Sequence, residues 1–168
     1  AMTSSLVGSE MCIRDRGASL CYLPCPVIPF ADSEFLGRNE IYLEKGARFA
    51  MQDILACGRK AMGERFDFRK YHSRTVIYED DKPVFADNTR LVPEEFRING
   101  IGYFEGYTHQ GMAYFYGWKE ILLHERDTLL SAVTRAVEGQ TVRILGSSSE
   151  EIESYIREMI REECVYGI

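Results

Sequence analysis

Between residue 17 and about residue 91, apolar and polar positions alternate mostly with period two. Ile41 and Leu43 alternate with Glu40, Tyr42 and Glu44, and Ala47, Phe49 and Met51 alternate with Arg48, Ala50 and Gln52. Lys45-Gly46 between the two runs suits a tight turn, so the pattern predicts a β-hairpin here. Residues 64–68 and 73–78 read as further strands, and Thr75-Val76-Ile77-Tyr78 supplies the β-branched and aromatic side chains that strands favour. The polar cluster 79–83 predicts a turn, with 84–91 returning as the partner strand. Such a series of short strands predicts a sandwich, a barrel or a coiled β stack.

Two segments interrupt the alternation. In Tyr22-Leu23-Pro24-Cys25-Pro26-Val27-Ile28-Pro29-Phe30, prolines fix their own φ, lack a donor and push the preceding residues toward extended geometry. This predicts a stiff, extended edge or corner. After Pro93, residues 98–117 are rich in glycine and aromatics and predict one or two strands. A short helix is expected over 120–126, and a hairpin from 132–137 and 141–145 around Glu138-Gly139-Gln140. The clearest helix begins at Ser148 or Ser149 and runs to about Glu163. It has serine at its start, Glu150 and Glu151 in its first turn, and one apolar face of Ile152, Tyr155, Ile156, Met159 and Ile160. The chain is mainly β with a C-terminal helix, a minor α+β element.

Composition narrows the function classes. The 168 residues fit one domain, and 45% hydrophobic with 27% charged content is that of an ordinary globular protein. With 26 acidic and 20 basic residues the net charge is −6, which argues against nonspecific nucleic-acid binding and against an anionic membrane surface. No apolar run approaches the roughly 20 residues of a spanning helix. Residues 1–16 are set apart as an adapter-derived scar or a disordered tail. Val7 to Asp15 follow in order the translation of a transposon-type sequencing adapter, and the stretch lacks the order of a signal peptide. Residues 17–168 then form the domain, with an N-terminal part of the natural protein expected to be missing. With Cys12 set aside in residues 1–16, Cys21, Cys25, Cys57 and Cys164 show no paired rhythm, so reduced thiols in a cytoplasmic protein are expected.

Candidate chemistry is sparse. His72, His109 and His124 have no metal-motif spacing. Cys21 and Cys25 would allow a soft-metal clamp but lack further ligands, which leaves Cys25 as a candidate for a transient contact. Glu64 and Asp67 follow a glycine turn, and Asp53, Asp80, Asp81 and Asp87 lie on nearby predicted strands. A hydrolase would need two of these facing across a cleft. No nucleophile elbow, phosphate loop or dinucleotide fingerprint occurs. The aromatics from Tyr103 to Trp118 would stack sugars if exposed, or form a packed sheet face if buried. A carbohydrate-binding β module or an acid-pair hydrolase is therefore the alternative to a non-enzymatic protein.

The proline corner, Gly46-Ala47-Arg48, the turn Gly58-Arg59-Lys60-Ala61-Met62-Gly63-Glu64, residues 73–91 and Val142-Arg143-Ile144-Leu145-Gly146 together resemble the UreD (UreH) family of urease accessory proteins. That resemblance covers nearly all of residues 17–168. It implies a coiled or superhelical stacked-strand scaffold without catalysis or a tightly bound cofactor. The implied partners are apo-urease, UreF and the GTPase UreG, with nickel passing transiently through the assembly. At the matching position it makes Glu64 a candidate nickel contact or structural turn residue, beside Cys25 from the cysteine spacing. Arg59 and Asp87 also match and are expected to form a turn-stabilising or interface pair, with Pro29 and Phe30 of the corner as further structural or interface candidates.

Overall fold

A computed structural model of the chain describes residues 4–13 and 17–166, with the side chains of 17–161. Nine strands and one α-helix are formed among them: β1 (Ser4–Ile13), β2 (Ser19–Tyr22), β3 (Glu34–Leu43), β4 (Arg48–Ala56), β5 (Lys70–Glu79), β6 (Lys82–Leu91), β7 (His109–Tyr116), β8 (Leu130–Arg135), β9 (Gln140–Gly146) and α1 (Ser149–Tyr166). One sheet has the order β1-β3-β5-β6 and the other β2-β4-β7-β9-β8. The first five strands step alternately between the sheets. β1, β3 and β5 pair in parallel, as do β2 and β4. This is the coil of stacked strands that the resemblance implied. The later strands close both sheets in antiparallel fashion. The backbone of the segment set apart at the N-terminus is strand β1, beside β3 in parallel register.

The predicted β3–β4 hairpin is corrected. The turn at Lys45-Gly46 exists, but it carries the chain from one sheet to the other. Ile41 and Leu43 therefore meet Ala47, Phe49 and Met51 across the layers, together with Ile77 and Tyr114. An arch and a hairpin need the same alternation, because each requires only that both apolar rows face one core. Residues 64–68 form no strand either. Phe66 takes φ 59° and donates its N–H to the Cys57 carbonyl at 2.7 Å, while the Asp67 carboxylate accepts the Arg65 N–H at 2.9 Å. Those bonds fold the segment back as a turn. The helix expected over 120–126 is likewise absent. Gln140 accepts the Ile121 N–H at 3.0 Å and donates to the Lys119 carbonyl at 2.7 Å, and the Tyr155 hydroxyl bridges the N–H and carbonyl of His124. Side chains of β9 and α1 thus satisfy a backbone that would otherwise have to bond to itself.

The remaining local expectations hold. The proline run is extended along β4, where Val27 pairs with Leu55 and exchanges bonds with Ile54 and Ala56. Asp80 and Asp81, at φ 47° and 63°, make the tight β5–β6 turn. β8 and β9 form the hairpin. At the start of α1 the Ser148 hydroxyl accepts the Glu151 N–H at 3.3 Å. The apolar face of α1 packs on Ala50, Ile54, Ala113, Phe115, Val142 and Ile144 of the second sheet. Gly111 permits this approach, since a Cβ there would lie 2.5 Å from Ile152. No helix among the described residues is long and apolar enough to cross a membrane.

Candidate functional site

β4 is apolar almost throughout because α1 covers one of its faces and the first sheet the other. Gln52 and Asp53 break that run, and the Asp53 side chain enters the space between the sheets. β5 answers with two hydroxyls. Ser73 Oγ donates to Asp53 Oδ2 at 2.9 Å, and the Tyr71 hydroxyl approaches both Asp53 oxygens at 3.3 and 3.4 Å. β6 contributes Asp87, whose Oδ2 accepts the Thr89 hydroxyl at 3.1 Å and whose Oδ1 is bonded by the Arg143 guanidinium of β9. Asp53, Tyr71, Asp87, Thr89, Gln110 and Arg143 surround a cavity of about 10 Å³. That is room for one water-sized occupant.

The electrostatics follow from this enclosure. Burial pushes the Asp53 carboxyl above the usual carboxylate range, and Asp87 adds to the rise; the Ser73 and Tyr71 hydroxyls and Arg143 oppose it. Tyr71 is driven well above the ordinary phenol range by burial first and by Asp53 second. The cavity thus brings two carboxylates and one guanidinium together, with the Leu55 and Met112 side chains completing its wall.

Glu64 and Arg59 build a different feature. Around the short 3₁₀ turn Lys60–Met62, Arg59 Nε donates to Glu64 Oε2 at 2.9 Å and Nη2 to Oε1. Glu64 Oε2 also accepts the Ala31 N–H at 3.3 Å, and the Arg59 guanidinium lies 4.4 Å over the Phe30 ring. The bonds from Arg59 hold the Glu64 carboxyl below its usual range. Gly58 lets the turn close, because a Cβ there would be 3.3 Å from the Glu64 carbonyl oxygen. Arg59 and Glu64 therefore clasp the GR-x3-GE turn to the proline corner. Pro29 is buried beneath the corner, whereas Phe30 is exposed.

The structure separates the residues singled out in the sequence. Asp87 lines the cleft; Glu64, Cys25, Arg59, Pro29 and Phe30 do not. Arg59 and Asp87 have separate partners, Glu64 and Arg143. Cys21 and Cys25 are exposed and outside any disulfide. His72 bonds Asn88 at 2.8 Å, and buried His109 bonds Thr108 at 2.9 Å. Burial, with Lys60 adding, lowers the His109 pKa. Among the described residues no three His, Cys, Asp or Glu side chains converge to hold a metal ion. Of the candidate stacking aromatics, Phe104, Tyr114, Phe115, Tyr116 and Trp118 are buried, Trp118 donating Nε1–H to the Phe49 carbonyl with Arg48 over its ring, while Tyr103 stays exposed. Between Asp53 and Asp87 a cavity of about 10 Å³ leaves no room for a sugar ring. Tyr71, Ser73, Thr89, Gln110 and Arg143 were not singled out as site residues. A usable signal was a charged residue inside an otherwise apolar strand, as in Val142-Arg143-Ile144.

Residues 14–165 match the profile of the UreD urease accessory protein family. The chain is 40% identical over 152 residues to urease accessory protein UreD of Acetivibrio thermocellus, covering 84% of this chain and 58% of that relative. Against urease accessory protein UreH of Helicobacter hepaticus, identity is 42% over 95 residues, with 56% of this chain and 38% of the relative covered. Against urease accessory protein UreD of Staphylococcus saprophyticus it is 32% over 148 residues, with 80% and 53% covered. The chain thus spans about half the length of the curated relatives it matches.

Proposed function

Because the chain belongs to the UreD urease accessory protein family, we propose that it serves urease maturation as a non-enzymatic scaffold through whose inter-sheet cleft a nickel ion is relayed. It docks with UreF- and UreG-like partners and with apo-urease, in the cytoplasm, and keeps no resident cofactor. The observation that carries the cation route is the meeting of Asp53 and Asp87 at one small cavity that Tyr71, Thr89 and Gln110 also line. Carboxylates draw a divalent cation in. Hydroxyl and amide oxygens complete only a loose shell, because nickel prefers nitrogen and sulfur donors over such a set. Weak, exchangeable contacts suit passage better than storage. The Arg59–Glu64 clasp has a supporting part, fixing the corner that carries exposed Phe30 toward a partner.

The test is activation of urease in a host lacking its own UreD, with nickel content of the purified urease measured alongside. The chain restores activity, and the pair D53N and D87N together removes most of it while capture of the UreF-like partner persists. Activation by the double variant at the unaltered level overturns the cation route. Failure of the unaltered chain both to capture the partner and to activate urease overturns the scaffold reading.

A further inference from the structure

Arg143 stands in the wall between two cavities. The inner one is the carboxylate-lined space of about 10 Å³. The outer one is a groove of about 400 Å³ lined by Tyr103 and Glu105 of one loop and by the β8–β9 hairpin, with exposed Leu130 and Ala132 along it. Gln110 and Arg143 line both. The guanidinium bonds inward to Asp87 on the opposite sheet, whose side chain is 12% exposed, while that of Arg143 is 42% exposed. A long side chain anchored inward and open outward can leave its partner without any movement of the backbone. Glu105, on the groove wall, offers a carboxylate on the outer side.

We propose that Arg143 is the gate of the cleft, a built-in cation that occupies Asp87 until it swings into the outer groove and opens the inner cavity. This rests on the cation route proposed above, and it adds what regulates entry. With the guanidinium on Asp87, a second cation in the same small space is repelled; once the guanidinium leaves, both carboxylates face the incoming ion and the groove joins the cavity. Arg143 is on this account a positioning residue, acting through Asp87 and through access.

Access is read without metal by the labelling rate of the thiol introduced by T89C, resolved by peptide mass spectrometry against small methanethiosulfonate reagents. The buried Cys57 thiol serves as an internal measure of unfolding. Labelling at position 89 is expected to rise about tenfold or more in R143M and in the double variant R143M/D87N, with Cys57 unchanged and R143K close to the parent. The double variant guards against a fold loosened by an unpaired Asp87. Unchanged labelling at position 89 in both, with Cys57 still protected, overturns the gate. Titration with Ni²⁺ separates the two proposals: R143M is expected to bind about tenfold more tightly than the unaltered chain, and D53N to abolish that gain. Faster labelling with no gain in Ni²⁺ affinity supports a gate but overturns the cation route; a D53N-dependent Ni²⁺ site with unchanged labelling supports the route and overturns the gate.

Discussion

The two faces of the second sheet are built on opposite rules. Toward α1 the sheet presents Ala50, Ile54, Ala113, Phe115, Val142 and Ile144, which meet the helix without a charge between them, and buried Gln52 in the same row donates to the Pro24 carbonyl. Toward the first sheet the core is divided. One apolar cluster holds Ile41, Phe49, Met51, Ile77, Met112 and Tyr114; another holds Leu55, Phe68, Tyr71, Leu91 and Phe104. The cavity of Asp53, Asp87 and Arg143 lies where Met112 of the first meets Leu55 and Tyr71 of the second. Buried charge is costly unless paired and hydrogen-bonded, so a sheet able to keep charge out of one face has no packing reason to build a charged seam on the other. The helix side holds the scaffold together, and the seam is the side organised for something other than stability.

The largest effect should come from breaking the uncharged layer. Phe115→Ala removes a fully buried ring beneath α1 and is expected to cost about 3–5 kcal/mol in chemical denaturation. A loss below about 1 kcal/mol would mean that this layer is no more cohesive than the seam. Next, Arg143→Met leaves Asp87 facing the seam without its cation, and about 1–2 kcal/mol should be lost. Asp87→Asn should cost less, since Arg143 can turn to solvent, and equal losses would contradict the one-sided anchoring of that pair. Asp53→Asn should act in the other direction, raising neutral-pH stability by on the order of 1 kcal/mol.

The pH dependence of that last gain has a definite sign. The native Asp53 carboxyl lies above its unfolded value, so its protonation favours the fold. Its contribution is fully present below the unfolded value of about 3.9 and is lost as pH rises through the elevated native one. The advantage of Asp53→Asn should therefore shrink as pH falls toward about 4, as followed by denaturation midpoints across the range. An advantage independent of pH would remove burial of the ionised carboxylate as its cause. The smallest effect belongs outside both layers. Glu64→Gln weakens the exposed clasp with little change in midpoint, and is expected to show as severalfold faster hydrogen exchange at the Ala31 amide. A cooperative loss of the whole fold there would place the clasp among the core elements.

What the sequence by itself determined is whatever rests on short-range chemistry. The start of α1 and its stripe from Ile152 to Ile160, the tight turn at Asp80-Asp81, the β8–β9 hairpin and the extended run of Pro24, Pro26 and Pro29 all follow from dihedral preference, nearby hydrogen bonds and local periodicity. The motifs carrying the family resemblance are local too. Only the tertiary structure decided that β3 and β4 part into different sheets, that residues 120–126 lend their backbone groups to Gln140 and Tyr155, and that Asp53, Asp87 and Arg143 share one cavity. A period of two assigns each side chain to a face but is silent about which strand lies opposite. Those three charged residues come from β4, β6 and β9, and it is long-range register across two sheets that brings them together.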